Sequence, residues 1–435
     1  MTKFIRTLGI VALTVYLSCH FNKNALGTDT FDLQANDGRQ WYRGNMHTHS
    51  HWSDGDDYLD NIALWYRDNG YQFLVFTDHN VLSNTERWID VESSKGGVAA
   101  FEKFKSQFPK QAQERTNAEG KQEARLNTFQ EVASRLDIPG KYLLVQGEEI
   151  SDKFEDAPIH LNASNIQELI PPMRGGSVAE TIQNNIRAVL SQREKTGEPM
   201  VVHVNHPNFG YGLTAEDMML IRGEQFFEVY NGHPGVNDQG DSLHASCDRI
   251  WDILLTGRLG EFQLPVLYGL ATDDSHDHHN FGETKSNPGR GWVMVLAKDL
   301  SIESLIEALE SGQFYASSGV TLRRIAVTPQ EFSVEVEPVE GEEYTIEFIG
   351  TRKGYNWSSE PVVNENGEEV RTTHRYSDAI GETLSTVRGP QASYKFQGDE
   401  LYVRARVTSS AKSANSSIQD GPKQAWCQPV VLKAR

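Results

Sequence analysis

Phe73-Leu74-Val75-Phe76-Thr77-Asp78-His79 sets an apolar run of four residues directly against a polar, titratable tripeptide. A run of that length suits a strand buried on both faces, as in a parallel sheet. Packing accounts for the run but gives no reason for its ending. The same arrangement recurs along the chain. Tyr142 to Val145 leads into Gly147-Glu148-Glu149-Ile150-Ser151, Met200 to Val204 leads into Asn205-His206-Pro207, and Val266 to Leu270 leads into Asp273-Asp274-Ser275-His276. Phe226 to Tyr230 is a further run of this type. Amphipathic stretches such as Val178 to Gln192 and Ile250 to Thr256 separate the runs and read as helices. Repeated strand–helix units build an α/β architecture, either a barrel or an open doubly wound sheet. In both, the C-terminal ends of the strands carry the active site.

Upstream, Asn45-Met46-His47-Thr48-His49 follows a short extended stretch. Residues i and i+2 of a strand share a face, so His47 and His49 can address one metal ion. Ser53-Asp54-Gly55 then places a carboxylate on a tight turn, and His160 lies beyond Glu149. Asp274 and His276 share a face by the i, i+2 rule. Five strand ends thus deliver His or carboxylate to one rim, which a purely structural protein has little reason to do. Mixed imidazole and carboxylate ligation suits Zn, Mn or Fe(II), and the near absence of Cys argues against a structural zinc site.

Taken in order, H-x-H (His47, His49), S-D-G (Asp54), T-D-H (His79), G-x-E-I-S (Glu149), a downstream His160, H-P (His206) and D-x-H (Asp274, His276) resemble the PHP (polymerase and histidinol phosphatase) superfamily. The resemblance covers roughly residues 41 to 318, including Glu228-Val229-Tyr230-Asn231 and Phe314-Tyr315-Ala316-Ser317-Ser318-Gly319. It implies an α/β fold, a distorted (β/α)7 TIM-like barrel, holding two to three divalent metal ions (Mn, Zn or Fe) and hydrolysing phosphate esters. Carried over by residue, the first metal takes His47, His49, Glu149 and Asp274. The second shares Glu149 as a bridge and adds His160 and His206; the third takes Asp54, His79 and His276. The G-x-E-I-S match selects Glu149 over Glu148, since adjacent strand residues cannot both point inward. The H-P match likewise selects His206 and leaves His203 behind the ligands or in the core. Asp273, out of phase with His276, is expected to support its loop, and His51, His278 and His279 default to exposed positions. A water or hydroxide bridging the first two metals would attack phosphorus, with Asp274, Glu149 and His206 as the catalytic residues. Phosphate recognition calls for further cations or donors, and Arg290, Lys285 and His233 are the candidates on the same rim.

The barrel is expected over residues 28–320. An insertion at 81–140 breaks its rhythm: Leu82 to Asp137 is long, charged and partly helical, and reads as a lid or as a solvated surface excursion. After Gly319 the pattern changes to alternation, as in Phe332-Val334-Val336 and Leu401-Val403-Ala405-Val407, which points to a small all-β, sandwich-like domain over 321–435. That domain holds no ligand cluster and is assigned packing, substrate-facing or surface-attachment roles. Residues 1–27 read as a signal peptide, with Lys3 and Arg6 ahead of an apolar Leu8 to Leu17. Cleavage falls after Ala25-Leu26-Gly27, or at Leu17-Ser18-Cys19 with Cys19 as a lipid anchor, so the protein is expected to be exported, periplasmic or a membrane-anchored lipoprotein. Cys247 and Cys427 are two buried thiols or a disulfide. A net charge of -19 at pH 7 repels polyphosphate backbones and sets aside stable nucleic-acid binding, while a small phosphorylated substrate held on metal remains compatible. The expectation is an exported metal-dependent phosphoesterase. The alternatives are an amidohydrolase-like C–N or C–O hydrolase using the same metals, or a non-catalytic glycan-binding surface protein.

Overall fold

Fourteen strands hydrogen-bond into one mixed sheet in the computed structural model, which describes residues 31–35, 38–223 and 225–432. The signal peptide and Cys19 lie outside the described residues. Gln40–Asn45, Phe73–Phe76 and Leu143–Phe154 run parallel, with Gly44 opposite Phe73 and Phe73 opposite Leu143. Leu143–Phe154 then doubles back as a hairpin into Ala157–Ser164, which is antiparallel to it and to Val201–Val204. Val201–Val204, Phe226–Asn231 and Tyr268–Thr272 resume the parallel order. The apolar runs are therefore strands buried on both faces, with one antiparallel strand among them that the sequence pattern did not reveal.

Among the described residues no strand ladder closes this array into a barrel. Gln40–Asn45 pairs instead with Trp292–Ala297, which continues to Phe314–Ser317. The far ends of the array meet at the rim, through a parallel bridge between Thr48 and Ser275, the His49 N–H donated to Ser275 O at 2.9 Å and the Asp273 N–H donated to Asn45 Oδ1 at 3.0 Å. Helix Val178–Thr196 covers one flank. Ser177 caps its first turn by accepting the Glu180 N–H, Gly197 ends it in the left-handed conformation (φ 75°), and Ile182, Ile186 and Val189 bury its inner stripe.

The expected insertion is a folded unit rather than a solvated excursion. Arg87–Asp90, Gln122–Leu126 and Glu114–Thr116 form a three-stranded antiparallel sheet, joined by helices Gly97–Gln107 and Phe129–Leu136. Phe101, Phe104 and Val132 bury themselves with Tyr58, Ile62 and Tyr66 in a core of their own, and Lys95 reaches the metal-site rim by donating to Asp54 O at 2.8 Å.

Beyond residue 320 the strands do not stand apart. Phe314–Ser317 pairs with Gln424–Cys427, and the same sheet runs on through Glu400–Ser409 and Tyr344–Arg352 to Glu382–Arg388. A four-stranded antiparallel sheet, in which Phe31–Leu33 pairs with Leu322–Val327, packs its Phe332 and Val334 into one buried cluster with Phe348, Val403 and Ala405. Cys247 and Cys427 are both buried and both free thiols, which excludes the disulfide alternative. Among the described residues, no helix is long and apolar enough to cross a membrane.

One buried contact ties the two parts together. Arg404, 1% exposed, donates from Nε and Nη2 to the two carboxylate oxygens of Asp252 at 2.8 and 2.7 Å, lies 2.9 Å from Asp248 and stacks over Trp251, all on helix Cys247–Thr256. Arg404→Met leaves Asp252 without its cation, keeping the Tyr402 hydroxyl, while Asp248 keeps Arg406 at 3.2 Å; removing one partner of a buried pair costs about 3–5 kcal/mol. Urea unfolding should show a single transition shifted to lower midpoint. An early separate transition of the C-terminal strands, with the rest unchanged, would contradict the continuous-sheet description.

Candidate metal centre

The centre is built where the strands end. Phe76 opposes Gln146, and past a local break His79 and Glu149 form a further parallel bridge, so the T-D-H and G-x-E-I-S endings lie side by side. Gly147 sits between two backbones at the closest point, where a Cβ would come within 2.6 Å of Ala163 O. Asp54 reaches the rim because the turn at Gly55 folds onto His49; a Cβ there would fall 2.5 Å from His49 O. Asp78 holds that turn by accepting from the Ser50 N–H at 2.8 Å and from Ser53 Oγ at 2.7 Å.

Glu149, 1% exposed, stands at the middle. Its Oε1 lies 3.0 Å from His160 Nδ1, 3.3 Å from His206 Nε2 and 3.5 Å from His47 Nε2. Its Oε2 lies 2.8 Å from His79 Nδ1 and 3.3 Å from His49 Nε2. Asp274 Oδ1 faces both His47 Nε2 and His49 Nε2 at 3.2 Å. Asp54, its side chain 57% exposed, lies 3.2 Å from His276 Nε2, 3.6 Å from His79 Nε2 and 3.8 Å from His49 Nδ1. All nine side chains named as metal ligands from the sequence pattern thus meet in one place. They fall into overlapping groups of three or four whose ligand atoms lie within 4.8 Å of one another, as a metal ion requires. His79 belongs to two of these groups, beside Asp54 and beside Glu149 with His160.

The donor set fits divalent cations. His47 Nε2, His49 Nε2 and Glu149 Oε2 are buried without a hydrogen-bond partner, and each points at another ligand atom of the cluster. Burial, followed by the charges of His276 and His79, holds the His49 imidazole well below its usual range, so it presents a lone pair. Burial works against ionisation of Glu149 and Asp274, yet the surrounding imidazoles hold both carboxylates well below their ordinary range. His206 (φ 23°) and Asp274 (φ 48°) both adopt left-handed backbone, a conformation that costs a non-glycine residue energy and clusters at functional sites.

Behind the ligands stands Glu228, whose role the sequence pattern did not single out. Fully buried, it takes His47 Nδ1 at 2.8 Å, the His206 N–H at 2.8 Å, Thr272 Oγ1 at 2.8 Å and Asn231 Nδ2 at 2.8 Å, with His203 Nε2 at 3.3 Å. A carboxylate on the far nitrogen of a ligating histidine fixes its tautomer and orientation. The signal was visible as one acidic residue inside the apolar run Phe226–Asn231. Asn205 adds a donor to Glu149 Oε1 at 2.7 Å. His203 is a buried partner of Glu228, as the H-P phase implied.

Arg290 requires correction as a substrate-binding residue. It is 1% exposed, and its guanidinium donates to Asn415 O, Gly232 O, Lys285 O and Gly282 O, so its donors are consumed in holding the loop. Asp273 supports the same loop by accepting from the Arg290 and Gly291 amides at 2.6 and 2.8 Å. Lys285 lies at its outer side, 3.9 Å from Asp277. His233 does face the centre, its ring 5.4 Å from that of His276. His51 and His278 are buried rather than exposed, and burial lowers them to about 4 and about 3. His279 is half-buried, 3.3 Å from Asp57.

Comparison with known protein families and with curated proteins finds no match. Solved structures do match. A two-domain protein from Bacteroides vulgatus, containing a predicted PHP-like metal-dependent phosphoesterase, superposes with TM-score 0.41 at 14% identity over 91% of this chain and 97% of its own. A candidate metal-dependent phosphoesterase from Bifidobacterium adolescentis superposes with TM-score 0.28 at 13% identity, over 62% of this chain and 96% of its own. PsfC from Pseudomonas syringae gives TM-score 0.28 at 13% identity, over 59% and 82%. The first of these is described as PHP-like, and the first two as metal-dependent phosphoesterases. Likeness at this level decides no chemistry, which rests on the side chains described above.

Three isosteric changes test the ligand map by calorimetric titration of Mn2+ into metal-free protein. Glu148 faces away from the cluster, where Oε1 accepts the Ile170 N–H and burial raises its carboxyl to about 8, so Glu148→Gln should change affinity by less than about 10-fold. Glu228→Gln should weaken binding roughly 10- to 100-fold, as for other partners behind a ligand, and Glu149→Gln by more than about 100-fold. If Glu148→Gln strips the metal while Glu149→Gln retains it, the register of the strand is wrong by one.

Proposed function

We propose that the chain is an exported metal-dependent phosphoesterase that hydrolyses a small phosphate mono- or diester at the rim of a distorted barrel. The observation that carries this reading is Glu149, a buried carboxylate shared by five imidazoles with a second carboxylate, Asp274, beside it. His47, His49, Glu149 and Asp274 would hold one ion, Glu149 with His160 and His206 a second, and Asp54, His79 and His276 a third. When bound, Mn, Zn or Fe(II) supplies Lewis-acid polarisation of a phosphoryl oxygen and lowers the pKa of water toward neutrality.

The protein's own groups divide the remaining work. Asp274 is held ionised by its imidazole neighbours, so it accepts rather than donates a proton. His233 is suited to donate a hydrogen bond rather than a proton. Burial lowers it to about 4, so it is neutral at pH 7, and its Nδ1 accepts the Gly235 N–H at 3.0 Å. The proton must then sit on Nε2, available to a phosphoryl or leaving oxygen. Glu228 keeps the His47 ring oriented, and the Thr48–Ser275 bridge keeps the two sides of the rim together.

Activity should vanish on exhaustive chelation and return with Mn2+, and a screen of phosphomonoesters, phosphodiesters and amides should release phosphate or alcohol from the esters only. Turnover that survives chelation, or amide cleavage without ester cleavage, contradicts the proposal. Export rests on Lys3, Arg6 and the apolar Leu8 to Leu17. N-terminal sequencing of the mature protein should begin beyond Leu17, and a cytosolic chain retaining Met1 would overturn it.

A further inference from the structure

Loss of Arg290 as a substrate cation directs attention to the surface beside His160, where two others stand. A cavity of about 330 Å³ opens there, lined by Ser151, Asp152, Lys153, Pro158, His160 and Arg174. It shares a wall with the metal centre: His160 Nδ1 lies 3.0 Å from Glu149, and Ser151 Oγ lies 2.6 Å from His79 Nδ1. Arg174 is not a loose surface side chain. Its Nε, at 3.0 Å, and its Nη2 both donate to Oδ1 of Asp152, an oxygen that also accepts the Lys153 N–H at 2.7 Å. The Asp152 side chain is 4% exposed and that of Arg174 is 57% exposed, so a buried carboxylate fixes one edge of the guanidinium and leaves the rest open. Among the described residues neither Arg174 Nη1 nor Lys153 Nζ has a partner. On a chain of net charge -19, the mouth beside the metals therefore carries two cations against one carboxylate that is already engaged.

We infer that this cavity binds a second anionic group, a carboxylate or a phosphate on the organic part of the ester, so that the preferred substrate carries two separate anionic groups. The inference rests on the phosphoesterase reading. Fixed guanidinium favours planar, bidentate recognition of such oxyanions, and the depression is open to solvent, so an anionic group can reach it from the metal side.

The test compares phenyl phosphate, 4-carboxyphenyl phosphate and 1,4-phenylene bisphosphate with the Mn2+-loaded protein and its Arg174→Gln and Lys153→Met variants. Each variant should raise KM for the two esters that carry a second anionic group, Arg174→Gln by about 10-fold, the scale of one charge-assisted hydrogen bond. kcat should hold, and phenyl phosphate should be unaffected. The ester that loses more identifies the second group as carboxylate or phosphate. Equal effects on all three esters, or none, overturn the inference. Lys153→Met removes no contact and keeps the test decisive if Arg174→Gln fails to fold. Calorimetric binding of 4-carboxyphenylphosphonate against phenylphosphonate gives a readout without turnover. If the unmodified protein cleaves none of the esters, the phosphoesterase reading fails, and this comparison still decides the cavity: a preference for the carboxylated probe that both variants abolish supports it, and no preference overturns it.

Discussion

Glu149 is buried, ionised and in reach of His47, His49, His79, His160 and His206 at once. A carboxylate withdrawn from water is costly unless it is paired and hydrogen-bonded. Much of the local structure answers that requirement. Gly147 lets the strand approach its neighbours, the His79–Glu149 bridge extends the pairing beyond the break, and Asn205 supplies an amide donor. Glu228 orients His47 from behind and also receives the His206 amide, so two ligands from different strands share one support. The left-handed backbone at His206 and Asp274 belongs to the same pattern: the surrounding contacts hold conformations that these residues would not choose alone.

The β-rich half takes part in this support from a distance. Its loop around Asn415 and Ile418 hydrogen-bonds the loop that follows His276: Arg290 Nε donates to Asn415 O, Asn415 Nδ2 to Pro288 O and the Ile418 N–H to Glu283 O. Tyr230, next to Asn231 at the end of a site strand, donates to Asp420 at 2.9 Å. Arg404 and the continuous sheet carry the same connection through the core. The C-terminal strands therefore brace the rim, whatever else they contact.

Much of the site was legible because strand ends leave a local signature, an apolar run stopped by titratable residues. What could not be read depended on partners far along the chain. Val266 to Leu270 looked like a strand, but the pairing of Phe226 with Tyr268 shifts it to Tyr268–Thr272. Ala157–Ser164 went unseen because its hairpin turns at Glu155 with φ 53°, without the glycine or asparagine that announces such a turn. Arg290 read as a free cation because the backbone carbonyls around it come from four separate positions. His51 read as exposed because nothing local announces that it packs against Tyr58, which the insertion covers with Phe104. Glu228 had a weaker signal, a single acid in an apolar strand, whose meaning emerges only beside His47 and His203.

Anomalous diffraction at the manganese edge, from crystals grown with Mn2+, reaches the central claim most directly. The account predicts at least two peaks, both in contact with Glu149 and each with two or more of His47, His49, His79, His160 and His206. Peaks located elsewhere on the molecule, with the Glu149 cluster closed on itself through direct imidazole–carboxylate hydrogen bonds, would contradict it.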